Sequence, residues 1–277
     1  MSPTTFCLTL ATTASERGNF RKTTCTGIVT VSILKAFLCK IWAKAGLGPN
    51  PAIFIFAMAQ VLIEAGRPGF PKLPGFLETP RDTIGIVIFA HGSGSSRLSP
   101  RNRRVAETLN RSKIGTLLFD LLTQEESEDR SKVFDIPLLA ERLAMATRWL
   151  LGGVPKYPLG YFGASTGAAA ALWAASDLGK QISAIVSRGG RPDLAIPRLS
   201  QVSTPTLLLV GSEDTPVIEL NQEALKYLSS GELRLIPGAT HLFEEPGRLD
   251  LVAHHALEWF SRHFFRREPG RSGQEAA

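Results

Sequence analysis

A serine, an aspartate and a histidine stand in this chain where they can act together. Ser165 lies in Gly163-Ala164-Ser165-Thr166-Gly167, Asp214 in Gly211-Ser212-Glu213-Asp214, and His241 in Gly238-Ala239-Thr240-His241. A hydroxyl is a weak nucleophile until a base takes its proton, and an imidazole serves as that base best when a carboxylate fixes its tautomer and orientation. These residue types point to acyl transfer through a covalent serine intermediate. A G-x-S-x-G pentapeptide alone says little, since small residues are common. Its setting says more: it follows the apolar run Leu159–Phe162 and opens the small-residue stretch Ala168–Ala171. A sharp strand-to-helix turn that thrusts a serine outward needs tiny residues two before and two after it. The competing explanation is an ordinary Gly/Ser turn.

Attack on a carbonyl develops negative charge on its oxygen, so donors must be close. His91-Gly92-Ser93-Gly94 follows the apolar run Ile84–Ala90, where a loop amide can serve an oxyanion hole together with the amide after the nucleophile. The backbone N–H groups of Ser93 and Thr166 are those candidates, and His91 is read as stabilising the loop. Glu213 competes with Asp214; the G-x-x-D-x-x-V spacing through Val217 favours Asp214. His254, His255 and His263 fall in the final helical segment, which leaves His241 as the candidate base. Arg188 ends a strand in Ser187-Arg188-Gly189-Gly190-Arg191-Pro192-Asp193. It is a candidate for binding an acidic substrate group, and equally for pairing with Asp193. Asp120, also at a strand end, is read as fixing a loop. No metal-ligand spacing is visible, and the chemistry requires no cofactor.

These residues need elements that bring them to one place. The continuous apolar run Ile84–Ala90 fits a strand buried on both faces of a parallel sheet, and further strands are expected at Ile114–Phe119, Leu159–Phe162, Ile182–Ser187, Thr206–Val210 and Leu233–Ile236. Two short strands, Val61–Glu64 and Phe76–Thr79, precede them. Helices are expected from Ser99-Pro100 to about Asn110, and over Pro137–Leu151, Gly167–Ala175, Leu220–Leu228 and Leu249–Phe265, with a polar loop at Thr123–Lys132. Alternating strands and helices predict an α/β class with a mostly parallel central sheet covered by helices on both faces. Only 18 residues separate the strands Ile182–Ser187 and Thr206–Val210, too few for a cap domain, so an open, shallow cleft is expected.

The net charge of +6 and pI near 9.4 raise the question of a nucleic-acid partner. Residues 1–57 carry six Lys/Arg against the single acid Glu16, whereas the rest is nearly balanced, with 25 against 24. A basic domain face is therefore not indicated. The division predicted is a basic N-terminal extension at 1–57, one domain at 58–265, and a disordered tail at 266–277. In the extension, Val31–Ala45 has the pattern of a basic amphipathic helix and resembles a targeting segment, with an unstructured extension as the alternative. The charge-free run Ala45–Ile63 is broken by Gly46, Gly48, Pro49 and Pro51, so no membrane span is expected. A cytoplasmic setting, or an organelle reached through residues 1–57, follows. Cys7, Cys25 and Cys39 lack zinc or disulfide spacing, and no cysteine follows residue 40 to act as a nucleophile.

The runs FAHGSGSSRLSPRN (89–102), LLFDLLTQEE (117–126), GYFGASTGAAAAL (160–172), VSRGGRPDL (186–194), TLLLVGSEDTPVIELN (206–221) and PGATHLFEEPG (237–247) resemble the dienelactone-hydrolase-like branch of the α/β-hydrolase superfamily. The resemblance covers roughly 60–265 and implies an α/β-hydrolase fold, the order Ser165, Asp214, His241 for a triad, and hydrolysis of an ester-like bond (carboxylester, lactone or thioester) in a small molecule. Dienelactone hydrolases proper use a cysteine in G-x-C-x-G; the serine here leaves the substrate open, and the oligomeric state is unassigned. Two other readings compete. One is a non-catalytic binding protein on the same fold. The other is a dinucleotide-binding oxidoreductase, with Gly92-Ser93-Gly94 after a strand and Asp120 ending the next. Arg97 in place of a third glycine and a helix starting late, at Ser99-Pro100, oppose the latter.

Overall fold

Six consecutive apolar residues with no polar alternation can be buried only if both faces of their strand are covered. That is what the computed structural model shows for Gly85–Ala90, every residue of which is buried. The structure describes residues 5–16, 19–30, 58–64, 70–153 and 157–265; the helix expected at Val31–Ala45 and the tail at 266–277 lie outside them.

The strands in chain order are β1 (Thr5–Glu16), β2 (Asn19–Thr30), β3 (Met58–Ile63), β4 (Leu73–Glu78), β5 (Gly85–Ala90), β6 (Ile114–Phe119), β7 (Leu159–Ala164), β8 (Ile182–Arg188), β9 (Thr206–Gly211) and β10 (Gly231–Ile236). They form one sheet in the order β10-β9-β8-β7-β5-β6-β4-β3-β1-β2. From β6 across to β10 every ladder is parallel, while β4, β3, β1 and β2 add antiparallel pairings at the other side. Within the N-terminal extension, β1 and β2 pair with each other, and β1 meets β3 through Cys7↔Gln60 and Leu8↔Ala59.

The helices are α1 (Pro100–Arg111), α2 (Gln124–Glu128), α3 (Arg130–Val133), α4 (Ile136–Gly153), α5 (Thr166–Leu178), α6 (Ile196–Leu199), α7 (Thr215–Leu225) and α8 (Arg248–Phe264). The pleat of the sheet sorts its side chains into two cores. Ile86, Ile88 and Ala90 of β5 join Leu143, Ala146 and Leu150 of α4 and Ala169 to Leu172 of α5 on one face. Val87 and Phe89 join Val105 and Leu109 of α1 and Val252, Ala256 and Phe260 of α8 on the other. Both faces are thus covered, as expected, and the segment between β8 and β9 holds no more than a 3-10 turn and the single helical turn α6.

Two expected elements differ. The stretch Thr123–Lys132, expected as a loop, forms α2 and begins α3. Thr123 Oγ1 accepts from Glu126 N while the Glu126 carboxylate accepts from Thr123 N, a reciprocal cap that makes so short a helix viable. Helix α7 begins at Thr215 and not at Leu220, because Pro216 in its first turn needs no N–H partner there.

Candidate active site

Parallel strands share one carboxyl edge, so the residues that follow β5, β7, β8, β9 and β10 meet in one crevice. Ser165 follows β7 with φ 51 and ψ −122, a conformation that an L residue adopts only under strain. The surroundings hold it there. Its N–H donates to Arg188 O at 3.3 Å, and its carbonyl accepts from Ala168 N at 3.0 Å and Arg191 N at 3.1 Å. A Cβ at Gly167 would lie 2.2 Å from Ala90 O, and one at Gly163 would lie 2.4 Å from Ala168 Cα. Both contacts are with backbone, so only glycine permits this approach of α5 to the sheet.

Asp214 and His241 are joined: Nδ1 of the imidazole lies 2.6 Å from Asp214 Oδ2. The aspartate side chain is mostly buried at 12% exposed, the histidine half-open at 40%. Asp214 occupies the N-cap position of α7, where a carboxylate ordinarily accepts helix N–H groups, yet its side chain makes no cap. It is turned to the histidine instead. Glu213 takes no part in this pair; its carboxylate accepts from Ser212 Oγ at 3.0 Å. The histidine loop is braced by Glu245, which accepts from Thr240 N and Oγ1, and by Glu244, which pairs with Arg101 of α1.

Ser165 and His241 both pack against residues 188 and 189. Ser165 N bonds Arg188 O, while a Cβ on the next residue, Gly189, would lie 3.2 Å from His241 O and 3.5 Å from His241 Cε1. The structure contains no direct Ser165–His241 hydrogen bond, a contact that commonly tightens only when substrate is present. Gly92 closes the other side, since a Cβ there would lie 3.0 Å from Ser165 Cβ.

A cavity of about 800 Å³ opens beside Ser165, lined by residues 91–101 after β5, 120–124 after β6, and Thr166. Gln124, Ser127 and Val133 of α2 and α3 form part of its wall. His91 fixes its floor. Nε2 accepts from Leu121 N at 3.0 Å, which leaves the proton on Nδ1, where it is donated to Gly92 O at 3.0 Å. Burial holds this imidazole below its ordinary pKa, so it is neutral. Asp120 accepts from Arg97 N at 2.6 Å and pairs with the Arg97 guanidinium, which fixes the loop and leaves no carboxylate for a ribose.

Arg188 is placed differently from its Asp193 alternative. Asp193 is held by Arg191 through two bonds, at 2.9 and 2.8 Å. Arg188 is buried with its guanidinium 5.9 Å from the Phe243 ring and 3.5 Å from Asn102 Oδ1 of α1. Among the described residues no carboxylate pairs with it, and its Nε has no partner. Burial first, and Arg101 second, pull its pKa down to about 10. His254 and His255 lie on α8 beside Glu258, away from the crevice. Among the described residues no group of three or more His, Cys, Asp or Glu is arranged to hold a metal, and no helix is long and apolar enough to cross a membrane.

No family model matches the chain. A dienelactone hydrolase from Anabaena variabilis is 52% identical, with a TM-score of 0.70, the likeness covering 74% of this chain and 97% of that one. Est1E from Butyrivibrio proteoclasticus has a TM-score of 0.64 and covers 75% and 99%, but at 16% identity it speaks for the fold alone. Two curated sequences from Mycobacterium tuberculosis, each provisionally named a phosphoribosyl transferase, are 55% identical over 202 residues, 72% of this chain. The chain spans 45% of the length of those relatives.

Proposed function

The chain belongs to the dienelactone hydrolase family of α/β-hydrolases, and from that premise we propose that it is a serine hydrolase of ester-like bonds. The observation that carries the reading is the 2.6 Å Asp214–His241 pair standing beside a serine held at φ 51. Ser165 Oγ attacks the carbonyl carbon as His241 Nε2 takes its proton, and Asp214 keeps Nδ1 protonated and steadies the imidazolium that forms. The Thr166 amide, first in α5 and without an intrahelical acceptor, donates to the developing oxyanion, with Ser93 N–H behind it. The protonated His241 then gives its proton to the leaving group. Water, activated by the same imidazole, releases the acid and frees the serine.

Two features support a polar, acid-bearing substrate. Five serines, Arg97 and Arg101 face the 800 Å³ cavity. Arg188 is a buried cation with no acid among the described residues to neutralise it, and an uncompensated buried charge favours an anionic group brought by a ligand. The transferase name of the mycobacterial relatives describes proteins more than twice the matched length, and nothing in this crevice favours it. The proposal includes a cytoplasmic setting, with residues 1–57 directing the chain to an organelle as its alternative; a fluorescent fusion to those residues reports which. The central test is labelling by a fluorophosphonate probe together with hydrolysis of short p-nitrophenyl esters, in wild type and Ser165→Ala. Loss of both in the variant supports the assignment; labelling or turnover that persists unchanged overturns it.

A further inference from the structure

A backbone amide has one proton, and that of Ser93 is already engaged: it donates to Thr166 Oγ1 at 3.0 Å, across 73 residues of sequence. The Ser93 amide therefore does not point straight at a substrate oxygen. It points at a hydroxyl. Both residues line the cavity beside the nucleophile, and Thr166 is 3% exposed.

A hydroxyl that accepts one hydrogen bond still has its own proton to give. Within a helix, threonine usually gives it to the carbonyl four residues back. Here that residue is Phe162, which lies in β7 and not in a helix, so the outlet does not exist. Among the described residues no hydrogen bond is donated by Thr166 Oγ1. A buried hydroxyl proton without an acceptor is costly, unless an acceptor arrives with the ligand.

We propose that Thr166 is a catalytic residue whose hydroxyl donates to the oxyanion alongside its own backbone N–H. Ser93 N–H stands behind it, polarising the hydroxyl so that the pair acts as a two-link chain. The inference rests on Ser165 being the nucleophile and deepens that reading. No proton is transferred along this chain: the negative charge stays on the substrate oxygen until the tetrahedral species collapses, and the hydroxyl keeps its hydrogen. Two donors on one residue, at the first position of a helix, are set by one backbone conformation. That makes their spacing rigid.

The test is steady-state hydrolysis of p-nitrophenyl acetate by Thr166→Val, which preserves shape and deletes the hydroxyl, and by Thr166→Ser, which restores it. Removing one oxyanion donor costs roughly 100- to 1,000-fold in kcat. Thr166→Val is expected to fall by about that much with KM within about threefold, and to bind an arylboronic acid, a mimic of the tetrahedral species, more weakly by a similar factor. Thr166→Ser is expected within about tenfold of wild type. Thr166→Ala deletes the hydroxyl without adding a methyl group, and answers the question if valine does not fold. A kcat in Thr166→Val or Thr166→Ala equal to or above wild type overturns the proposal, because it shows the hydroxyl blocking the Ser93 amide and not working with it. Equal losses in the Ser and Val variants overturn it too. Undiminished turnover in Ser165→Ala brings down the nucleophile assignment itself, a separate failure.

Discussion

Replacing Asp214 with asparagine tests the charge on the carboxylate while keeping its size. In the proposed reaction His241 becomes positive during attack, with Asp214 Oδ2 2.6 Å from its Nδ1. With charge centres about 4 Å apart and an effective dielectric near about 20, the pair is worth about 4 kcal/mol, or about a thousandfold in rate. The imidazole is 40% exposed, so water screens part of this and lowers the expectation. Asparagine can also present its own N–H to Nδ1, favouring the wrong tautomer, which acts in the opposite direction. The net expectation for Asp214→Asn is a loss of roughly 100- to 1,000-fold in kcat/KM on p-nitrophenyl acetate, with the fold intact by circular dichroism. Glu213→Gln is the control, since among the described residues that carboxylate hydrogen-bonds only Ser212 Oγ; it should stay within about threefold of wild type. An Asp214→Asn enzyme within threefold of wild type, or a Glu213→Gln enzyme as damaged as it, refutes the reasoning.

Gly167→Ala places a carbon 2.2 Å from Ala90 O and 2.5 Å from His91 O; a cost of about 3 kcal/mol, seen as a Tm lower by on the order of 10 °C, is expected, and an unchanged melt disproves the close approach. Burial lowers the pKa of His91, so the unfolded chain binds a proton below about pH 6.5 where the folded chain does not, and stability falls as pH drops through that window. In urea titrations from pH 7.5 to 5.5, His91→Gln should lose less stability than wild type; parallel curves count against a buried neutral imidazole. Arg188→Met should raise KM for a p-nitrophenyl ester of succinate by roughly 10- to 100-fold while leaving the acetate ester little changed, with a melt equal to or above wild type. Parallel changes for both esters assign Arg188 to scaffolding alone.

The sharp turn at Ser165 is legible in the sequence because its demands are local: tiny residues at 163 and 167, an apolar strand before and alanines after. The same holds for β6, found at Ile114–Phe119 as its apolar run predicts. Two further signals are local. Thr123 and Glu126 have the spacing of a reciprocal cap, and Thr215-Pro216 marks the start of α7 five residues before its apolar periodicity suggests. The two opening strands start earlier than their apolar residues suggest, β3 at Met58 and β4 at Leu73, where Pro74 argues against a strand. The spacing through Val217 favours Asp214 over Glu213, and the fold shows Asp214 to be the carboxylate that reaches the imidazole. Other features are tertiary and have no linear signature. Nothing linear joins Ser93 to Thr166, nor predicts that Arg191 takes Asp193 and leaves Arg188 without an acid.

The backbone at position 165 has a consequence beyond catalysis. Positive φ costs a serine on the order of 1–3 kcal/mol that a glycine would not incur. A chain that merely bound ligands on this scaffold would rest easier with glycine there. Keeping a side chain in so uncomfortable a pose makes sense where its oxygen has work to do, so thermal resilience and turnover pull on this one position from opposite directions.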